Sequence, residues 1–178
     1  MAIKIGIVLG STREGRVSES VGNWVLEKTN DFKEAQFEIV DIKEFNLPFV
    51  GTTSDNTNVE KWNDALSKYD GFIFIVSEYN HSISGALKNA LDSARDNWAN
   101  KSAGIVSYGS AGGARAAEHL RGILSELQIG SVRTHILLSL FDDFEQFSIF
   151  KPRNIHDQNL NNLFSQVTDW AKAFKTLR

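Results

Sequence analysis

Apolar positions along the chain follow two alternating periods. The runs Ile3-Lys4-Ile5-Gly6-Ile7-Val8-Leu9 and Gly71-Phe72-Ile73-Phe74-Ile75-Val76 are β-branched or aromatic at nearly every position, the pattern of strands buried on both faces. Residues 36–42 alternate and predict a second strand; 103–108 and 132–138 predict a fourth and a fifth. Between the strands, apolar residues recur at spacings of three and four, the period of a one-sided helix. Val21, Trp24 and Val25 mark a helix from Ser18, and Val59, Trp62, Leu66 and Tyr69 mark the next. Thr57 followed by Glu60 predicts a capping box at the start of that second helix. Leu87, Ala90, Leu91, Ala94 and Trp98 share a third helix, and Ala117, Leu120, Leu124 and Leu127 a fourth. A last helix over 156–175 carries Leu160, Leu163, Phe164, Val167, Ala171 and Phe174.

Five strands alternating with five helical patterns predict an α/β fold whose parallel sheet is covered on both faces. The common five-stranded solution is the flavodoxin-like three-layer sandwich of strand order 2-1-3-4-5, with its switch point between the first and third strands. Ligands of such folds sit beyond the carboxyl ends of the strands. The polar, glycine-bearing loops of this chain follow strands one, three and four, so one crevice has access to all three.

Composition narrows the function classes. The 178 residues, 42% hydrophobic and 23% charged, suit one domain over 1–178 and not a disordered chain. A net charge of −3 without a long basic run argues against a nucleic-acid partner. The longest apolar stretches are too short to cross a bilayer, which argues against a membrane partner. The opening Met1-Ala2-Ile3-Lys4 lacks a signal-peptide layout, so a cytoplasmic protein is expected. With no cysteine, disulfides, thiolate nucleophiles and iron–sulfur clusters are excluded. Redox chemistry here requires a bound cofactor.

The first loop, Gly10-Ser11-Thr12-Arg13-Glu14-Gly15-Arg16, runs from a buried strand into a helix N-terminus, where backbone N–H groups and the helix dipole favour an anion. Its hydroxyls and Arg13 suit a phosphate. Arg16 and Val17 stand where a Walker loop needs lysine and a metal-binding hydroxyl, and the loop lacks one glycine of the dinucleotide fingerprint. A mononucleotide phosphate fits best. A tight turn with Ser18 as N-cap and a solvated Arg13 is the plainer reading of the same residues. The loops Ser77-Glu78-Tyr79-Asn80-His81-Ser82 and Ser107-Tyr108-Gly109-Ser110, with Gly112 and Gly113, offer backbone groups and a tyrosine face to a heteroaromatic ring. A solvated Glu78 and an Asn80 bonded within its own turn remain open alternatives.

Gly10-Ser11-Thr12-Arg13 with Ser18, the run from Glu78-Tyr79-Asn80 to Leu87-Lys88-Asn89-Ala90-Leu91-Asp92, and Ser107-Tyr108-Gly109 together resemble the NAD(P)H-dependent FMN reductases. These are flavodoxin-like enzymes that include quinone, azo-dye and chromate reductases. The resemblance implies FMN as cofactor and NAD(P)H as co-substrate. It also implies hydride transfer through flavin N5 to a small-molecule electron acceptor such as free flavin, a quinone or an azo compound. By resemblance, Ser11, Arg13 and Ser18 hold the phosphate and Arg16 and Val17 line that loop. Glu78, Tyr79 and Asn80 then meet the ring, chiefly through main chain, and Ser107 and Gly109 border it. No side chain is implied as catalytic and no metal is implied; a homodimer or homotetramer is. An electron carrier without its own NAD(P)H activity is the alternative. Two positions depart from the family pattern: Ser77 and Ser84 stand where prolines are usual, so looser loops are expected. Arg115 is a candidate for a 2′-phosphate or for solvent, and Trp98 reads first as a helix-face anchor and equally as a dimer contact. The segment 140–155 reads as a solvated loop with aromatic anchors.

Overall fold

The structure, a computed structural model, describes residues 2–178; Met1 lies outside them. The elements run β1 (Ile3–Leu9), α1 (Ser18–Lys28), β2 (Ala35–Asp41), α2 (Thr57–Ser67), β3 (Gly71–Ser77), α3 (Gly85–Asp92), β4 (Lys101–Gly109), α4 (Ala114–Glu126) and β5 (Ile129–Ser139). A small hairpin follows, β6 (Phe144–Glu145) with β7 (Ile149–Phe150), and then α5 (Asp157–Phe174). β1 to β5 form one parallel sheet of order β2-β1-β3-β4-β5, the flavodoxin-like arrangement expected from the alternation.

The central strands β3 and β4 are buried at every position, which is why their sequences are apolar without alternation. One core layer packs α1 and α5 on the sheet through Val21, Val25, Leu160, Leu163, Phe164 and Val167. The opposite layer packs α2, α3 and α4 through Trp62, Leu66, Leu87, Leu91, Leu120 and Leu124. Parallel strands place the loops after β1, β3 and β4 side by side at one edge of the sheet. Ser77 pairs with Tyr108 at the last rung between β3 and β4, and Leu9 with Ile75 between β1 and β3.

Several local expectations are corrected. β2 lies one residue earlier than its alternation suggested, because Ile42 opens a 3-10 turn whose N-cap is Asp41. The Thr57–Glu60 capping box does not form: Asn56 is the N-cap, and the Thr57 hydroxyl turns back to Asp55 Oδ1 at 2.7 Å. α3 stops at Asp92, so Ala94 and Trp98 lie beyond the helix that their spacing extended. Trp98 is wholly buried within its own chain, 4.8 Å from Phe72 between ring centroids, with its indole N–H on the Leu91 carbonyl. It is therefore closed to a dimer contact. The 140–155 segment is not merely a solvated loop. The fully buried Asp143 accepts the Ser139 and Arg153 backbone N–H groups and the Arg153 Nε at 3.0–3.1 Å, and meets His156 Nε2 at 2.9 Å.

Candidate functional site

The three loops meet over the carboxyl end of the sheet, and each is held in place by a different bond. In the first, the backbone N–H groups of residues 12–17 donate to no protein acceptor among the described residues. Ser11 is nearly buried, and Ser18, the first residue of α1, is completely so. Val17 and not Ser18 is the N-cap, and the Ser18 hydroxyl has no partner. Arg13 is exposed and touches only the Glu14 carbonyl, at 3.2 Å. Open N–H groups, an orphaned hydroxyl and a free guanidinium at one helix N-terminus fit a phosphate. The FMN implied by the sequence therefore suits the residues present.

Arg16 is employed differently. Its guanidinium is nearly buried, donating to the Ser11 carbonyl at 2.7 Å and forming a two-pronged pair with Asp41 at the end of β2. It shapes the loop from behind and stays tied to protein partners. Burial alone would raise the Asp41 carboxyl, but the Arg16 hydrogen bond and the Lys43 N–H outweigh it and hold it below the usual range.

The loop after β3 turns sharply. Tyr79 and Ser82 exchange two backbone hydrogen bonds of 2.9 Å, with Asn80 at φ 49° and His81 at φ 69° between them. That is a two-residue turn of the I′ kind, with a histidine held in the left-handed region. Tyr79 remains 45% exposed, so its ring is free to face a ligand. The Glu78 side chain points away from the turn. It accepts the Arg115 and Ala116 backbone N–H groups at the start of α4 and pairs with the Arg115 guanidinium. Burial pushes Glu78 up, and these donors prevail, so its carboxyl titrates below its ordinary value. Arg115, the candidate for a 2′-phosphate, is thus engaged by Glu78 and by His81 Nε2 at 3.0 Å.

In the loop after β4, the buried Ser107 hydroxyl donates to the Gly112 carbonyl at 2.7 Å, so its side chain closes the turn. A Cβ at Gly109 would stand 3.0 Å from Glu78 Cβ, so the close approach of the two loops depends on glycine there. At Ser84, where the missing proline led to the expectation of a looser loop, the hydroxyl bridges to the Gly10 carbonyl at 2.6 Å. A cavity of about 340 Å³ opens beyond Thr12, away from the β3 and β4 loops, lined by Ile42, Leu47, Phe49 and Ala86 with Lys43 and Asn89.

Sequence reasoning missed one residue of this neighbourhood: Asp41 anchors Arg16 from the end of the adjacent strand. Its only sequence signal was its place at a strand's carboxyl end.

A doubly wound sheet with three polar loops at its switch point defines the flavodoxin-like class. The sequence profile of the NADPH-dependent FMN reductases matches residues 3–142. An NAD(P)H-dependent FMN reductase of a Nectria species is 36% identical over 130 residues, covering 66% of this chain and 65% of that protein. An NAD(P)H:quinone oxidoreductase of Solanum tuberosum is 37% identical over 131 residues, covering 68% and 66%. Among solved structures, the flavoenzyme NAD(P)H:(acceptor) oxidoreductase of Paracoccus denitrificans shares the fold, with a TM-score of 0.77 at 17% identity over 97% of this chain and 99% of that one. The chain belongs to the NADPH-dependent FMN reductase family. That makes it an NAD(P)H-dependent flavin oxidoreductase, with FMN and a nicotinamide nucleotide as its cofactors.

Proposed function

We propose that this chain binds FMN with the phosphate in the β1–α1 loop and the ring against the β3 and β4 loops, and passes electrons from NAD(P)H to a quinone-type acceptor. The observation that carries the placement is the first loop, where unpaired N–H groups, the orphaned Ser18 hydroxyl and the free Arg13 surround one helix N-terminus. The acceptor class rests on the name of the Solanum tuberosum relative. Held by Ser11, Arg13 and Ser18 at its phosphate, FMN would supply the hydride-accepting and electron-donating chemistry that no side chain here provides.

The chain's own residues bind and orient. Ser11 and Ser18 offer hydrogen-bond donors to the phosphate and Arg13 offsets its charge, while Arg16 and Val17 hold the loop's shape. Because the Glu78 carboxylate is committed to α4 and the Tyr79 N–H and carbonyl to Ser82, the Glu78 carbonyl and the Asn80 backbone are what the loop offers the ring, beside the exposed Tyr79 side chain. Gly109 lets the two ring loops close together, and Ser107 fixes the turn that carries it. The exposed Phe49 and Val50 provide an apolar surface for a second copy in the homodimer or homotetramer that the resemblance implies; sedimentation equilibrium tests that assembly. No helix among the described residues is long and apolar enough to cross a membrane.

The test is anaerobic reduction of the FMN-loaded protein by NADPH, followed by reoxidation with a benzoquinone. Bleaching followed by recovery of the flavin absorbance supports the reading. Flavin that stays oxidised under both NADPH and NADH overturns the oxidoreductase assignment. Arg13→Ala is expected to weaken FMN binding by about 1.5–3 kcal/mol, the range for a hydrogen bond to a charged group. Unaltered affinity removes the phosphate from this loop.

A further inference from the structure

The nicotinamide nucleotide that reduces the flavin has two ends, and the ring loops account for one of them. The other end is an adenosine, which carries a 2′-phosphate in NADPH and none in NADH. Arg115, where the sequence suggested a contact for that phosphate, is engaged by the Glu78 carboxylate and by His81. A different basic group is open. Lys43 lies in the 3-10 turn just past β2 and is exposed. Among the described residues only its backbone N–H is engaged, by Asp41 Oδ1 at 3.0 Å.

Lys43 lines the cavity of about 340 Å³ beyond Thr12, a volume at the lower end of the range for small-molecule sites. Ile42, Leu47, Phe49 and Ala86 give that cavity an apolar wall. Asn89 fixes one side of it. Its Oδ1 accepts the Val50 N–H at 3.0 Å and its Nδ2 donates to the Pro48 carbonyl at 2.9 Å, so the wall is formed before any ligand arrives. The lining contains one cation and no carboxylate. Asp41 is paired with Arg16, and Glu44, next to Lys43 in sequence, is not part of the lining. An apolar wall suits the faces of a purine, and a single compact cation suits a phosphate monoester.

Position separates this cavity from another with basic groups. Lys101, Lys175 and Arg178 line a cavity that also holds Asp70 and Asp96, at the amino end of the strands and so opposite the ring loops. Thr12, by contrast, belongs both to the cavity around Lys43 and to the β1–α1 loop. A dinucleotide with its nicotinamide at the ring loops and its adenosine beside Lys43 spans that loop.

We propose that the cavity between Thr12, residues 42–49 and the start of α3 takes the adenosine of the nicotinamide nucleotide, and that Lys43 meets its 2′-phosphate and so sets a preference for NADPH over NADH. Lys43 is a specificity residue, remote from the hydride transfer itself. The inference rests on the oxidoreductase reading above, and the experiment separates the two. Phe49, at the cavity's exposed rim, is also part of the surface proposed for a second copy, so the chain is tested in the assembly it forms in solution.

NADP+ and NAD+, which differ only in the 2′-phosphate, are titrated by calorimetry into the FMN-loaded full chain. Neither oxidised nucleotide reduces the flavin, so binding is read apart from turnover. The parent is expected to hold NADP+ more tightly. Lys43→Gln should weaken NADP+ about tenfold, the scale of one charge-assisted bond, and leave NAD+ unchanged. Lys43→Arg should restore the preference. Ala86→Leu, which fills part of the cavity, should weaken both nucleotides by a similar factor with FMN affinity unaltered. No binding of either nucleotide, equal affinity of the parent for the two, or a Lys43→Gln variant that changes both or neither overturns the inference. So does an Ala86→Leu variant without effect. A preference lost in Arg115→Gln and kept in Lys43→Gln places the 2′-phosphate at the ring loop and also overturns it. If the flavin bleaches normally under NADPH while the Lys43 pattern is missing, the subsite falls alone. If the flavin stays oxidised under both nucleotides while that pattern is present, the oxidoreductase reading falls and the subsite stands.

Discussion

The Ser84 hydroxyl donates to the Gly10 carbonyl at 2.6 Å across 74 positions of sequence. The same oxygen accepts the Leu87 N–H at 3.1 Å, so it also caps α3. One small side chain therefore joins the β1–α1 loop to the first turn of α3, and does by hydrogen bonding what a proline would do by restricting φ.

Ser84→Ala is expected to destabilise the chain by about 1–2 kcal/mol, the cost of a lost N-cap. Ser84→Pro should cost less, because φ −64° and ψ 147° already suit proline and part of the loss returns as reduced chain entropy. Urea unfolding of the two variants decides the order; a more stable alanine variant refutes the bridging role.

The Arg16–Asp41 pair, with side chains 7% and 12% exposed, holds the β1–α1 loop to the end of β2. Arg16→Ala leaves the largely buried Asp41 without its partner and should cost about 3 kcal/mol, the lower end for breaking a buried pair. Arg16→Lys should recover only part of this, since lysine cannot reach Ser11 and both Asp41 oxygens together. Calorimetric melting of the three proteins provides the check.

Acid should loosen the site before neutral or mildly alkaline pH does. Asp41, Glu78 and Asp143 are all held below the ordinary carboxyl range. For Asp143, burial acts upward and the Arg153 and His156 bonds prevail. A carboxyl depressed on folding contributes fully above its unfolded value, near 4, and the contribution is lost as pH falls through the folded value. Stability measured by urea unfolding should be flat from pH 7 to 5 and fall below pH 4. Asp143→Asn should flatten that fall and speed amide exchange over 140–156; a slope identical to the parent's contradicts the hub.

Gly113 sits at φ 74°, and a Cβ there would stand 2.8 Å from both Ser107 Cβ and the Tyr108 nitrogen. Gly113→Ala should cost more than about 1 kcal/mol from the left-handed backbone, with the clash added. Because the displaced groups lie at the end of β4, FMN affinity should fall along with the melting temperature. A variant that binds FMN like the parent shows that the turn is not part of the ring site.

Burial on both faces made the sheet legible from Ile3 to Leu9 and from Gly71 to Val76, since a strand between two helical layers has no polar side to show. The alternation of periods then left few topologies for a five-stranded parallel sheet, and the observed order is among them. The Ser11-Thr12-Arg13 and Glu78-Tyr79-Asn80 loops were visible for the same reason in reverse, as polar residues placed where a buried strand cannot continue. The helix ends were harder to read. Trp98 keeps the helical period but lies past the end of α3, because burial against Phe72 rewards the spacing whatever the backbone does. Partner choice lay beyond pattern altogether. Whether Arg16 faces a phosphate or Asp41, whether Glu78 faces a ring or the start of α4, and whether Ser84 loosens its loop or ties it to Gly10 depend on atoms 25 to 74 positions away. Sequence determines which groups a loop carries; only the folded chain brings the competing partners within hydrogen-bond reach and so decides which groups are left free for a ligand.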